Sequence, residues 1–148
     1  MHRSAEAIRA IRETAIRTVR GVENEVEVAE WQVGVLHRVR STPENAACRV
    51  VRTKGPIGQE VRIIDGFRTL IVPRIDDLAG FCSVNLLVDR HTGRGAIAAV
   101  YEDRQAMSRS KGQAQAIRQE FIEHLSMHVT DTAEFDVALA HVRVPERI

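Results

Sequence analysis

The order of strand-like and helix-like hydrophobic patterns after residue 46 is the feature that most limits how this chain can fold. Strand patterns return every second residue, whereas helix patterns return every three or four. In chain order the segments are strand, helix, strand, strand, helix and strand, at residues 48–53, 61–78, 81–89, 96–101, about 104–125 and 135–142. Pro73 lies inside the first helical pattern and should kink or split that helix. This β-α-β-β-α-β order predicts an α+β, ferredoxin-like domain with an antiparallel sheet.

The beginning of the chain repeats the pattern of its end. In order, the matched pairs are Ala10-Ile11-Arg12 with Ala116-Ile117-Arg118, Trp31 with Phe135, Val33 with Val137, and His37 with His141. Apolar side chains recur at helical spacing over residues 8–19 and at every second position over much of residues 26–39. Both patterns agree with those matches. We therefore predict an N-terminal helix–strand unit that repeats the last helix and strand of the domain.

The boundary between these parts is predicted at the polar, proline-containing linker Ser41-Thr42-Pro43-Glu44-Asn45. It divides the chain into a half-repeat at 1–42 and a ferredoxin-like domain at 46–148. Two explanations of residues 1–42 remain open. They add a helix and a strand that pair by exchange with a partner subunit's sheet edge, or they are the remnant of a longer tandem protein. In the first case residues 26–39 should be hydrogen-bonded to a sheet.

Composition excludes several classes of protein. With 44% hydrophobic residues in 148, the chain has enough apolar side chains for one folded domain. No apolar run approaches the ~20 residues of a membrane-spanning helix, and no signal-peptide pattern precedes the first helix. A net charge of +1 argues against nucleic-acid binding. Cys48 and Cys82 lie in apolar stretches, as buried thiols do in a reducing compartment. We expect a cytoplasmic protein.

Several segments together resemble one family. They are Gly80-Phe81, Leu86-Leu87-Val88-Asp89-Arg90, Thr92-Gly93-Arg94, Tyr101-Glu102-Asp103 and the stretch from Val137 to Pro145. With them the chain resembles the antibiotic-biosynthesis-monooxygenase-like proteins of the dimeric α/β-barrel superfamily. The resemblance covers about residues 46–145, and residues 1–40 depart from the family pattern.

The resemblance implies a four-stranded sheet with helices on one face, whose other face meets a second sheet in a homodimer. It also implies a cofactor-independent monooxygenase-like activity on a small aromatic or quinol-type molecule, held in an apolar pocket. Haem-degrading relatives use Asn, Trp and His at positions that resemble Arg49 or Arg52, Tyr101 and the segment around Ser110-Lys111 here. Because none of the three is kept, we do not expect haem degradation.

Two residues are the candidate catalytic groups. His141 can act as a base because the pKa of histidine suits proton transfer near neutral pH. The alternative is a hydrogen-bonded structural histidine near the chain end. Tyr101 resembles the aromatic residue that the family places at the end of the barrel, where it either lines the pocket or only packs.

The candidate substrate-binding residues are Asn85, Phe81, Leu87 and Phe135. The alternation predicts that Asn85 shares a strand face with Phe81 and Leu87, and that Phe135 shares one with His141. If that face is outward, Asn85 is merely solvated.

We expect neither a metal nor a cofactor. His124 and His128 are spaced for one side of a helix but lack a third ligand, and the glycines form no nucleotide-binding loop. The first hypothesis is a cofactor-independent monooxygenase-like homodimer for a small hydrophobic molecule. The alternative is a non-catalytic ligand-binding or structural protein of the same fold. A pocket of some 300 Å³ or more at His141 or Tyr101 would favour the first.

Overall fold

The computed structural model describes residues 31–137. The strands are β1 (Gln32–Arg38), β2 (Ala47–Lys54), β3 (Phe81–Asp89), β4 (Arg94–Tyr101) and β5 (His128–Asp136). The helices are α1 (Glu60–Gly66), α2 (Val72–Ile75), α3 (Arg104–Arg109) and α4 (Lys111–His124), and a π-helical segment, Phe67–Ile71, joins α1 to α2. No helix within these residues is long and apolar enough to cross a membrane.

The strands form one antiparallel sheet of five, in the order β1-β3-β4-β2-β5. Four of them, β2 to β5, make the predicted βαββαβ unit, which confirms the ferredoxin-like α+β fold. The fifth, β1, pairs with β3 of the same chain from Gln32 opposite Val88 to Arg38 opposite Ser83. Residues 32–38 are thus hydrogen-bonded to a sheet as predicted, at the edge of the sheet of their own chain.

The last strand begins earlier than predicted. Helix α4 ends at His124, and Ser126 reverses the chain with a positive φ of 55°. Strand β5 therefore starts at His128, and Phe135 lies near its end, opposite Cys48. Most of β5 is exposed. The predicted repeat falls largely on residues 1–30 and 138–148, which lie outside the described residues.

Pro73 splits the first long helix, as expected. Since proline has no backbone N–H, it cannot continue the hydrogen-bond ladder of an α-helix. The chain adopts the π-helical segment just before it and restarts as α2, with proline in the first turn.

All of the described helices pack on one face of the sheet. The helix-covered face carries Val51, Val84, Leu86, Ile97 and Tyr101, which form a core with the helices. Phe67 and Phe121 meet edge to face in this core, with ring centroids 5.6 Å apart. The helix-free face carries Cys48, Val50, Leu87, Ala98 and Val100, and no helix of residues 31–137 contributes to that cluster. The sheet is therefore apolar on both faces.

Candidate functional site

The structure divides the predicted site residues between the two faces of the sheet. Tyr101 and Phe81 lie on the helix-covered face, with their ring centroids 6.2 Å apart. Leu87 and Phe135 belong to the helix-free cluster, and Asn85 lies on the same side as Leu87. His141 lies outside the described residues. The predicted groups therefore do not form one pocket within the described part of the chain.

A β-bulge explains why Phe81 was placed wrongly. Phe81 is opposite Tyr101, but Ser83, not Cys82, is opposite Val100. The extra residue reverses the alternation, so Phe81 faces the helices while Ser83 and Asn85 face away from them. The prediction that Asn85 and Phe81 share a face is wrong for this reason.

Tyr101 borders a small cavity between the sheet and the helices. The cavity volume is about 30 Å³. Its polar lining residues are Arg49, Tyr101 and Arg118, and its apolar walls come from Val51, Ile97 and Ala99 of the sheet and from Ile71, Ile75, Leu78, Ala114 and Ile117 of the helical side. This space holds one or two water-sized molecules and is far below the roughly 300 Å³ of an ordinary ligand pocket.

Arg49 is held firmly at one side of this cavity. It is only 3% exposed. Its Nε donates to Glu134 Oε2 at 2.9 Å and its Nη2 donates to the Met107 carbonyl at 3.1 Å. Its guanidinium also lies 5.7 Å from the centre of the Tyr101 ring, a cation–π contact. The charge of Arg49 is thus compensated by Glu134 on the neighbouring strand.

Tyr101 is fully buried, and its hydroxyl has no hydrogen-bond partner. Burial raises the pKa of this phenol above its usual value, although the charge of Arg49, an Arg49 N–H directed at the phenol oxygen and the charge of Arg118 act in the opposite direction. The hydroxyl is therefore neutral at physiological pH. An unpartnered buried donor costs about 1–3 kcal/mol. Such a group suggests a function that offsets the cost.

Arg118 completes the polar side of the cavity from helix α4. It is half-buried, and no hydrogen bond or ion pair joins its guanidinium to another residue of the described chain. Burial lowers the pKa of Arg118, and the nearby charge of Arg49 lowers it further. One positive charge at the cavity is therefore left without a counter-charge.

Comparison with known proteins identifies relatives in sequence and in fold. No family model matches the chain. The uncharacterized protein Rv2557 of Mycobacterium tuberculosis (strain ATCC 25618 / H37Rv) is 34% identical over 148 residues, which are all of this chain and 65% of that protein. The chain thus spans just under two thirds of the length of this curated relative.

Two solved structures share the fold. A "putative monooxygenase" from Lactobacillus acidophilus NCFM superposes with a TM-score of 0.50 at 10% identity, covering 71% of this chain and 49% of that one. A major regulator of staphylococcal pathogenesis superposes with a TM-score of 0.52 at 17% identity, covering 78% of this chain and 73% of that one. The chain shares its ferredoxin-like α+β fold with these two proteins. At these identities the likeness concerns the fold alone.

The helix-free face also carries unpartnered polar atoms. Asn85 Oδ1 and Trp31 Nε1 are buried without a hydrogen-bond partner, and Trp31 packs against the helix-free cluster. Burial raises the pKa of Cys48 to about 12 and also raises that of Cys82. Both thiols stay protonated at neutral pH, so neither supplies a base.

Sequence analysis did not identify Arg49 and Arg118 as site residues. For Arg49 a signal was present, because it alternates with Ala47 and Val51 and must share their buried face. Arg118 gave no such signal, since it is one of several arginines on an amphipathic helix. Metal ligation receives no support from residues 31–137, where no three His, Cys, Asp or Glu side chains cluster.

Proposed function

We propose that this protein is a cofactor-independent monooxygenase-like protein that takes a small aromatic or quinol-type molecule at the helix-side cavity. The observation that carries the proposal is the buried, unpartnered hydroxyl of Tyr101 at that cavity. Because burial keeps the phenol neutral, it can donate a hydrogen bond to an oxygen of the bound molecule.

The reaction needs few protein groups. A base removes a proton from an activated C–H or O–H of the substrate, and the resulting anion reduces dioxygen. When the substrate carbon is an activated methylene, one oxygen atom becomes the carbonyl oxygen of the product, and the other leaves as water with both methylene hydrogens. Tyr101 would stabilise the developing oxyanion by its O–H donor. His141 remains the predicted base, on sequence grounds only.

The size of the cavity favours the second candidate, a non-catalytic ligand-binding protein. At about 30 Å³ the cavity admits dioxygen or the polar end of a ligand but not an aromatic ring. A ring can enter only if the wall containing Ile71 and Ile75 moves. Ile71 ends the π-helical segment, an interruption often found at functional sites.

The helix-free face supports the proposal of a homodimer. A sheet that is apolar on both faces needs two covers, and the described helices supply one. A second sheet on the other side would place Asn85, Leu87 and Phe135 at the interface or in a barrel interior. The division of the chain into two parts after residue 42 and the cytoplasmic location of the protein also remain predictions.

Oxygen uptake with a panel of anthrones and quinols tests the proposal. We expect turnover by the full chain, and a loss of at least about tenfold in kcat/KM for Tyr101→Phe, equivalent to about 1.4 kcal/mol. Arg62→Gln, at an exposed position on α1, is the control and should keep its rate. Binding without oxygen uptake would establish the non-catalytic alternative, whereas neither binding nor uptake would refute both.

A further inference from the structure

We infer that the helix-side cavity is a binding site for a monovalent carboxylate, held by Arg118 and Tyr101 beside Arg49. The inference shares its site with the proposed function and rests on that function for the site alone, since binding requires no oxygen chemistry. It goes further because it fixes the charge and chemical class of the ligand.

The charges around the cavity are not balanced. Arg49 from β2 is neutralised by Glu134 of β5 at 2.9 Å. Arg118 from α4 has no acidic partner among the described residues. Both guanidiniums line the same small volume. The cavity thus carries an excess of one positive charge.

The cavity also has two hydrogen-bond donors without acceptors. The guanidinium of Arg118 and the hydroxyl of Tyr101 are both without acceptors in the described chain, and the Tyr101 residue is 0% exposed. Two free donors of this kind match the two oxygens of a carboxylate, and a guanidinium can also bind a carboxylate through two parallel bonds. The remaining walls are apolar, which strengthens such charge-assisted bonds.

The charge balance of the cavity excludes a doubly charged anion. With one uncompensated positive charge, a monoanion leaves the buried site neutral, whereas a dianion leaves a negative charge in an apolar cavity. A volume of about 30 Å³ accommodates a group no larger than the carboxylate end of a ligand. An aromatic carboxylate would place its ring against the wall formed by Ile71, Ile75 and Leu78.

Sodium formate is the probe, with formamide as its neutral counterpart, and both are added to the full chain at constant ionic strength. We expect formate to raise the thermal midpoint in a saturable manner and formamide to leave it unchanged. Formate should also raise the pKa of Tyr101, because a negative charge nearby disfavours the phenolate. A purely structural role of Arg118 would not produce that shift.

Arg118→Gln should weaken formate binding about 10- to 100-fold, the size of a lost charge-assisted hydrogen bond. Arg62→Gln is the matched control, because Arg62 is exposed on α1, where its Nη1 donates to Gln59 Oε1 at 3.3 Å. Should Arg118→Gln fail to fold, Arg118→Lys keeps the charge and should retain weaker binding. Equal effects of formate and formamide, or unchanged binding in Arg118→Gln, would overturn the inference.

The two proposals can fail separately. Formate binding without oxygen uptake on any substrate leaves the carboxylate site intact and removes the monooxygenase reaction. Oxygen uptake on neutral quinols without formate binding removes the carboxylate site and leaves the monooxygenase reaction intact.

Discussion

The two faces of the sheet are formed by the same strands but differ in the buried polar groups that they carry. On the helix-covered face, Arg49 is buried with two hydrogen bonds, and Tyr101 and Arg118 point donors at a small cavity. On the helix-free face, the amide of Asn85 and the indole of Trp31 are neutral groups with buried unpartnered atoms. The two arginines Arg49 and Arg118 thus meet at the cavity between the helices and the sheet, and the other face resembles an interface or an apolar pocket.

The only tyrosine and the only tryptophan of the chain lie on opposite faces. Tyr101 absorbance therefore reports on the helix-covered face, and Trp31 fluorescence on the helix-free face. A ligand can be assigned to one face by the chromophore that it perturbs.

The largest expected effect is on packing of the helix-covered face. Phe121 is 0% exposed and makes the edge-to-face contact with Phe67. Phe121→Ala should lower the free energy of unfolding by about 3–5 kcal/mol in a denaturant titration. Phe135→Ala, at a half-buried position on the helix-free face, should cost less than half as much. Equal losses would show that the two faces are packed alike.

The next effect compares two ion pairs across the same pair of strands. Glu134→Gln leaves buried Arg49 beside Arg118 without a counter-charge, and should cost about 1.5–3 kcal/mol of unfolding free energy. Asp131→Asn breaks the solvent-exposed pair with Arg52 and should change stability little.

Adding Arg118→Gln to Glu134→Gln should recover part of the loss, because a like charge beside Arg49 is removed. Additive losses in this double-mutant cycle would contradict the proximity of the two arginines.

A pH effect is expected from the helix-free face. The pKa of Cys48 is about 12 in the folded chain against 9.0 for an unperturbed thiol. The neutral thiol therefore favours folding fully below pH 9, and this stabilisation is lost as the pH rises from 9 through 12. The slope approaches about 1.4 kcal/mol per pH unit for one thiol. Urea titrations above pH 9 should show a steeper loss for the native chain than for Cys48→Ala. Identical slopes would mean that Cys48 is accessible to water.

The smallest expected effect is a gain in the free energy of unfolding. Asn85→Leu removes a buried amide oxygen that has no partner, at similar side-chain volume. The unfolding free energy should rise by about 1 kcal/mol. A loss of that size would instead show that the amide is hydrogen-bonded in solution.

Much of the fold was predictable because it depends on local patterns. Alternation located β2, β3 and β4, and the helical spacing together with Pro73 located the split helix. The failures arise where one residue changes the register. The bulge at Cys82 moved Phe81 to the other face, and the turn at Ser126 allowed β5 to begin at His128. Neither change leaves a mark in hydrophobic periodicity.

The candidate site was predicted only in part. Tyr101 was identified through the family resemblance, but its surroundings depend on residues distant in the sequence. The pairing of Arg49 with Glu134 requires the β2–β5 register, and the approach of Arg118 requires α4 to pack over the sheet. Such contacts are set by tertiary packing and not by local pattern.

Titration of Tyr101 by its absorbance in the near ultraviolet tests the central claim most directly, because no other tyrosine contributes. The account predicts a phenol pKa above 10.0 in the folded chain, raised further in Arg118→Gln and unchanged in Arg62→Gln. Ionisation near 10.0 in both the native chain and Arg118→Gln, with the fold intact by circular dichroism, would place Tyr101 in water and contradict a buried phenol beside two arginines.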